Sequence, residues 1–273
     1  MREKACVFVD GENLRHSLVD VFSDDGIFKP RDYLPATAEW AKFFDWVVLI
    51  ATAGTHHRLR TYWFVVQELD FFPYGLSQPN RSTNEELKRV LLRHRPFRER
   101  LRALSGTELL REMEEMLVQL REGQRGIESQ FRRWIAVQNG IAITHRAVEF
   151  RRAGAILFNL FEKQFGREKS VDVRLACDML MLRDIYDTAI IVSGDQDYVP
   201  AAQVLKDAGK TVINVSFERR NGDLLPGGAR RLNIATDASI RIPYVRLREF
   251  MGLDSSRAAL KDDSTIVATE AVS

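Results

Sequence analysis

Four aspartates stand at positions where they could do chemistry together. Asp10 ends the apolar run ACVFV, and Asp195 and Asp197 follow the run AIIVS after a glycine. Asp172 lies near the start of the helical pattern EKSVDVRLACDMLMLRDI, which Ser170 is placed to cap. Carboxylates act as general acids, general bases or cation ligands, so their use depends on the elements that position them.

The elements around these acids predict an α/β fold with a central, mostly parallel sheet. ACVFV, LRTYWFVV, AIIVS and TVINVSF favour buried strands, and AVEFRR is a weaker candidate. Helical stretches such as YVPAAQVLKDAG separate them, as expected for a three-layer sandwich whose parallel strands are covered on both faces. In such sheets ligands bind beyond the carboxyl ends of the strands, where we expect the four acids to converge.

The chain is predicted to be one domain, residues 1–253, interrupted by a helical insertion at about 76–145. With 273 residues, 45% of them hydrophobic, it is long enough to bury a full core. The insertion has the pattern of long charged helices with periodic Leu and Met, as in ELLREMEEMLVQL. A further helix is predicted over 35–44, and WVVLIATAG either continues it or forms a strand. Residues 254–273 are predicted to be a flexible tail.

Composition and sequence pattern exclude several classes of protein. No run approaches the length of a membrane span and the N-terminus lacks a signal-peptide pattern, so we predict a cytoplasmic protein without a membrane segment. Cys6 and Cys177 show no metal-ligand spacing, and we predict that both are reduced core thiols, with neither zinc nor a disulfide. The net charge of +2 does not by itself indicate a partner.

Four carboxylates within a few ångströms would repel one another, because a like charge within about 4–6 Å disfavours ionisation of its neighbour. A bound cation resolves this conflict. An oxygen-only set suits Mg²⁺ or Mn²⁺ better than zinc, and we predict that Asp10, Asp172, Asp195 and Asp197 bind one of these metals against a phosphate backbone. Since such ions activate water and neutralise phosphate oxygens, the expected reaction is phosphodiester hydrolysis.

Three blocks of the sequence, in this order, resemble the signature blocks of the NYN domain. The blocks are VFVDGENL, KSVDVRLACDML and IVSGDQDYVPAAQVLKDAGKTVINVSF, and the resemblance covers residues 5–22, about 145–184 and 188–243. This family belongs to the PIN-like superfamily and includes the LabA-like bacterial proteins. The resemblance implies a PIN-like fold, a Mg²⁺ or Mn²⁺ site and ribonuclease activity.

The resemblance also assigns roles to individual residues. Asp10, Asp172 and Asp195 match the metal-site carboxylates, Asp197 the accompanying acid, and Asn13 the polar residue after the first strand. The family often has Gly and Phe where this chain has Ser170 and Tyr198, and neither difference removes a ligand. The large helical insertion is the greater departure, because it could reshape or cover the substrate groove.

Three polar residues are predicted to support the acids. Asn13 is expected to orient Asp10 or a water at the metal by a hydrogen bond. Asp178 lies six residues after Asp172, roughly 120° around a helix, so it is expected to support the metal ligands or to have a structural role and not to bind the metal directly. Ser193 either donates its hydroxyl to a water or phosphate at the site or simply ends its strand.

The insertion contains a basic segment, KRVLLRHRPFRERLR at 88–102, with seven Lys or Arg residues and one Glu. This segment either binds an RNA backbone or pairs with glutamates of the following helix, such as Glu112, Glu114 and Glu115. The arginines of QFRRW could stack on bases of single-stranded RNA, whereas its aromatic residues could be core anchors. The candidate RNA-binding residues are Lys88, Arg89, Arg93, Arg95, Arg98, Arg132 and Arg133.

The leading hypothesis is a metal-dependent ribonuclease, and two alternatives stand beside it. The first is an RNA-binding or adaptor protein that keeps the acidic pocket without useful turnover and acts through its insertion. A homodimer could then form through Met113, Met116 and Leu120, or these side chains could pack inside the chain. The second, a haloacid-dehalogenase-type phosphatase, fits the string DQDYV but would place it at the first strand. The sequence disfavours an EF-hand, because DQDYVPAAQVLK lacks the required Gly and Glu.

Overall fold

The computed structural model describes residues 2–22, 33–35, 38–72, 89, 91–225 and 230–253. The strands are β1 (Glu3–Asp10), β2 (His56–Phe72), β3 (Val148–Asn159), β4 (Gln164–Lys169), β5 (Thr188–Val192), β6 (Thr211–Glu218), β7 (Leu224–Leu225) and β8 (Ala238–Ile242). The helices are α1 (Gly11–Val21), α2 (Trp40–Ala51), α3 (Arg95–Leu101), α4 (Gly106–Thr144), α5 (Val171–Met181), α6 (Val199–Asp207), α7 (Arg230–Ala235) and α8 (Tyr244–Phe250), with 3₁₀ turns at Arg183–Ile185 and Gln196–Tyr198.

The chain divides into two compact units. The first comprises Met1–Val65, Val137–Ala153 and Ser170–Ser273, and the second comprises Val66–Ala136 and Gly154–Lys169. The strands β2 and β3 each contribute residues to both units.

The centre of the first unit is a parallel sheet. β1 pairs with β2 and β5, β5 pairs with β6, and β6 pairs with β8, all in parallel, while the short β7 is antiparallel to β6. Every residue of β5 is buried, as is every residue of β1 from Ala5 to Asp10. Burial on both faces explains why these strands are apolar throughout. The predicted α/β fold with a mostly parallel sheet is confirmed.

The helices of the first unit follow the apolar periodicity of the sequence. The alternative left open at WVVLIATAG is resolved, because α2 begins at Trp40 and continues through Ala51. Its buried side chains Phe43, Phe44 and Val47 recur at helical spacing. α6 ends before Gly209, whose φ of +76° stops the helix in the left-handed conformation that glycine adopts readily.

The second unit has its own apolar core, formed by residues of its strands and helices. β3 and β4 are antiparallel there, and most of the 39-residue helix α4 lies in this unit. Met113, Met116 and Leu120 pack inside this core, so they do not supply a surface for a homodimer. The buried residues of the core are Phe71, Leu91, Leu101, Met113, Met116, Leu117, Leu120, Phe158 and Leu160.

Several sequence expectations need correction or lie outside the described residues. β4 has no strand signal in its sequence, QFGREK, and forms through its pairing with β3. Cys6 is buried as predicted, but the prediction of a buried Cys177 is wrong, because this residue is exposed on α5. Residues 76–88 and 90 of the predicted insertion, and the predicted tail, 254–273, lie outside the described residues. None of the helices described is both long and apolar enough to span a bilayer.

Candidate metal-binding active site

The predicted acidic residues lie where the strand order of the first unit reverses. β2 pairs with one side of β1 and β5 with the other. Asp10 is the last residue of β1, and Asp195 follows β5 after Ser193 and Gly194. Because β1 and β5 are parallel, their carboxyl ends share one edge of the sheet, where ligands bind in open α/β folds.

Asp10 is buried, with 4% of its surface exposed, and both its carboxylate oxygens accept hydrogen bonds. The backbone N–H of Asn13 donates to Oδ1 at 3.0 Å, and the Ser193 hydroxyl donates to Oδ2 at 2.9 Å. Burial raises the pKa of Asp10 to about 7, and the nearby charge of Asp172 contributes to the rise, against the lowering effect of its hydrogen bonds. Asp10 therefore caps α1 and also faces the acidic cluster.

The glycine after Asp10 allows α1 to begin close against β2. A Cβ atom at Gly11 would lie 2.4 Å from the carbonyl oxygen of Phe64 and 2.8 Å from a methyl carbon of Val65. Any side chain here would push the helix away from the backbone of β2. Gly11 therefore holds the start of α1, and with it Asp10, at the edge of the sheet.

A buried tyrosine connects Asp10 to Asp172. The Tyr198 side chain is fully buried, and its hydroxyl donates to Asp172 Oδ1 at 2.7 Å and lies 3.3 Å from Asp10 Oδ2. The hydroxyl has one proton, so it donates to one carboxylate at a time, and the shorter distance favours Asp172. In the sequence, Tyr198 stands out only as a departure from the family pattern, and no role is predicted for it. A hydroxyl-bearing residue one position after Asp197 is the signal that could have pointed to it.

Asp172, Asp195 and Asp197 form the more open part of the cluster. One carboxylate oxygen of each lies within 4.8 Å of the others, and Asp10 and Asp172 come equally close. Asp195 also accepts a hydrogen bond from the backbone N–H of Asp197 at 2.9 Å, and Asp197 is exposed. Burial raises the pKa of Asp172, and the charges of Asp195 and Asp197 raise it further, whereas the Tyr198 hydroxyl lowers it.

The chemistry of this donor set fits a hard divalent cation. The four side chains offer only carboxylate oxygens, the ligands that Mg²⁺ and Mn²⁺ prefer. Burial and mutual repulsion both raise the pKa of Asp10 and of Asp172, so a cation would relieve an unfavourable concentration of negative charge. Asp172, Asp195 and Asp197 form one group close enough to hold it, and Asp10 adjoins this group through Asp172.

Asn13 and Ser193 join the loops that follow β1 and β5. Asn13 Oδ1 accepts a hydrogen bond from the backbone N–H of Gly194 at 3.1 Å. Ser193 Oγ donates to Asp10 and accepts from the backbone N–H of Asp195 at 3.1 Å. These bonds fix the two acid-bearing loops to each other, and they place both predicted supporting residues among the acids.

The structure places Asp178 in a salt-bridge network. Its carboxylate accepts from Arg151 at 2.5 Å and from Arg174 at 3.0 Å. Arg151 in turn stacks over the Tyr62 ring, 4.1 Å from its centroid. Among the described residues, no hydrogen bond joins Asp178 to the four acids. This geometry favours the structural role over a role in supporting the metal ligands.

The predicted RNA-binding arginines belong to the second unit, whereas the four acids belong to the first. Arg95 pairs with Glu99 at 2.8 Å and Arg100 pairs with Glu112, so part of the basic segment pairs with glutamates. Trp134 of QFRRW is buried and packs against Phe165, as a core anchor does. Lys88 lies outside the described residues, and the exposed candidates are Arg89, Arg93, Arg95, Arg98, Arg132 and Arg133.

The fold and the site define an α/β protein with an acidic cluster at the carboxyl edge of a parallel sheet. The family model of the NYN domain matches residues 105–225, which confirms the predicted resemblance to this family. NYN domains are generally nucleases of the PIN-like type. The matched residues include Asp172, Asp195 and Asp197 but not Asp10 or Asn13, which the tertiary structure adds to the cluster.

The other comparisons add little to this assignment. The chain is similar to the crystal structure of a protein of unknown function from Vibrio parahaemolyticus. The similarity covers 88% of this chain and 93% of that chain, with 13% sequence identity and a TM-score of 0.39. No curated protein matches the chain.

Proposed function

We propose that this protein is a metal-dependent ribonuclease with a PIN-like fold that hydrolyses phosphodiester bonds in RNA. The observation that carries the proposal is the gathering of Asp10, Asp172, Asp195 and Asp197, which come from three separate parts of the chain. The NYN match supports the nuclease class. The oxygen-only donor set supports Mg²⁺ or Mn²⁺ as the cofactor.

The side chains have distinct tasks in this proposal. Asp172, Asp195 and Asp197 hold the cation, which when bound activates water and neutralises charge on the phosphate oxygens. Asp10 completes the negative site, and Ser193 fixes its Oδ2 atom. Because Asp197 is exposed and Asp10 is buried, the substrate reaches the cluster from the side of Asp197.

Cleavage of end-labelled RNA by the wild type, Asp10→Asn and Asp195→Asn tests the proposal. Loss of a supporting residue around a metal typically costs about 10–100-fold, so each ligand variant is expected to lose at least about 100-fold of the activity. EDTA should abolish wild-type cleavage, and Mn²⁺ or Mg²⁺ should restore it. The matched control is Asp184→Asn, which removes a carboxylate that is 87% exposed outside the cluster.

Substrate class is tested with RNA and DNA strands of the same sequence. Preferential cleavage of the RNA strand is the expected result. Cleavage that survives both EDTA and the Asp195→Asn substitution would mean that the acidic cluster is not the active site.

A second candidate is an RNA-binding or adaptor protein without useful turnover. It is favoured by the hydrogen bonds from Asn13 and Ser193, which satisfy both carboxylate oxygens of Asp10 without a cation. Leu110 and Val118 also remain about half exposed on α4 and could contact a partner or a second copy. RNA retention in Mg²⁺ without cleavage would favour this candidate, and light scattering tests self-association.

A further inference from the structure

A group of arginines lies at the same edge of the sheet as the acids. β6 is parallel to β5 and continues to Glu218, past Asn214, the partner of Ile191. β5 ends at Val192, so β6 projects roughly 10 Å beyond it at about 3.3 Å per residue. Arg219 and Arg220 follow this projecting end.

The helix α7 brings two more arginines to this edge, because it begins with Arg230 and Arg231, both exposed. Arg231 Nη1 donates to Oε1 of Gln196 at 3.2 Å, and Gln196 stands between Asp195 and Asp197. A direct hydrogen bond therefore joins α7 to the loop that carries two of the acids.

The contacts of Arg230 and Arg231 leave their charge available to a ligand. Arg231 is held by a neutral amide, and among the described residues no carboxylate forms a salt bridge with Arg230 or Arg231. The Nε atom of Arg219 is buried without a hydrogen-bond partner in the described structure. Two acids, Glu218 and Asp223, lie in the same stretch, and the Asp223 carboxylate accepts from the Asn221 side chain and not from an arginine.

A polyanion needs such cations beside an acidic site. Four carboxylates repel a phosphate backbone, and a metal at the cluster offsets this only at the phosphate it binds. The guanidinium group of arginine binds phosphates in a bidentate manner, and phosphate contacts fix the position of a nucleic-acid strand on a protein. Cations next to the acids would therefore hold the phosphates that flank the cleaved one.

We propose that Arg219, Arg230 and Arg231 form a phosphate-binding face, here called the arginine face, for the backbone of single-stranded RNA. The inference rests on the proposed function, because it assigns the flanking phosphates of the same substrate. It gives the strand a direction across the first unit, from the acids past Gln196 to α7.

The test measures binding and not cleavage. A short fluorescein-labelled oligouridylate is titrated by anisotropy into Arg231→Ala and into Arg230→Ala/Arg231→Ala, in EDTA, at several salt concentrations. We expect affinity to fall several-fold and the slope of log affinity against log salt to become shallower by about 0.7 for each phosphate that the variant no longer binds. Arg183→Ala, which removes an arginine at a 3₁₀ turn remote in sequence from this face, should leave both quantities unchanged.

Two further variants separate charge from loop structure. Gln196→Ala removes the hydrogen bond to Arg231 but leaves the arginine, and Arg231→Lys keeps the charge, so both should retain most of the salt slope. If Gln196→Ala reproduces the loss seen in Arg231→Ala, Arg231 only positions the loop and the arginine face is refuted. Unchanged affinity and slope in the double variant would also refute it.

The outcome for the arginine face is independent of the outcome for catalysis. Arginine-dependent binding without RNA cleavage would retain the face and reject the ribonuclease. Cleavage that depends on the acids, with RNA affinity insensitive to these arginines, would retain the ribonuclease and reject the face.

Discussion

The interiors of the two units differ in what they bury. The core of the second unit is apolar, and side chains such as Met116 and Phe158 pack there. The first unit also buries Asp10, Ser193 and Tyr198 at one edge of its sheet. Burying a carboxylate costs stability, whereas burying apolar surface provides it. The proposed metal site explains the buried carboxylate of the first unit, whereas folding alone explains the apolar core of the second unit.

The largest effect on stability should follow from a cavity-forming substitution in the core of the second unit. Phe158→Ala is expected to lower the free energy of unfolding by about 3–5 kcal/mol, because it removes a buried ring and leaves a cavity. Mn²⁺ affinity should not change, since the acids belong to the other unit. Urea unfolding and calorimetry measure the two quantities, with Phe158→Leu as the milder control. A matching loss of Mn²⁺ affinity would show that the comparison between the units is wrong.

At Asp10 we expect the reverse of Phe158→Ala, namely that substitution raises stability at neutral pH and lowers Mn²⁺ affinity. Its folded-state pKa of about 7 lies above the ordinary value of 3.8, so the metal-free native state binds the proton more tightly than the unfolded chain. The stabilisation that protonated Asp10 gives the native state is complete below about pH 4 and is lost as the pH rises through about 7. The free energy of unfolding changes by up to about 4 kcal/mol as a result.

Asp10→Asn removes this titration. In EDTA it should therefore unfold at a higher temperature than the wild type at about pH 8, with the difference shrinking toward pH 4. The same variant should lose Mn²⁺ binding. A wild type whose stability in EDTA rises between these pH values relative to Asp10→Asn would contradict the burial argument.

The smallest effect is expected at Tyr198. Its hydroxyl stabilises the ionised forms of Asp172 and Asp10, so Tyr198→Phe should raise the pKa of both groups and disfavour the carboxylates that bind a cation. Mn²⁺ affinity is expected to fall by about tenfold, as for other residues that support metal ligands, and most strongly at acidic pH.

Tyr186→Phe is the control for this substitution. Tyr186 is also buried, but its hydroxyl donates to the carbonyl oxygen of Met179 at 2.6 Å, so its loss should leave Mn²⁺ affinity unchanged. Tighter Mn²⁺ binding in Tyr198→Phe would instead show that the hydroxyl competes with the cation.

The sequence predicted features that depend on local pattern. The apolar runs of β1, β5 and β6 indicate buried parallel strands, and the aspartates that follow two of them are placed at the carboxyl edge by strand direction alone. Burial was less predictable, because an isolated cysteine in an apolar helix gives no sign of its face. The prediction of a buried Cys177 failed for this reason, because the residue lies on an exposed face of α5.

What the sequence alone determined is the set of acids and the alternation of strands and helices, since periodicity and residue type are local properties. Only the tertiary structure decided which side chains satisfy those acids. Tyr198 bridges Asp10 and Asp172, Asp178 pairs with arginines, and Arg231 contacts Gln196. The physical reason is that hydrogen bonds and ion pairs depend on separations of a few ångströms between residues far apart in the chain, and strand order and helix packing set those separations.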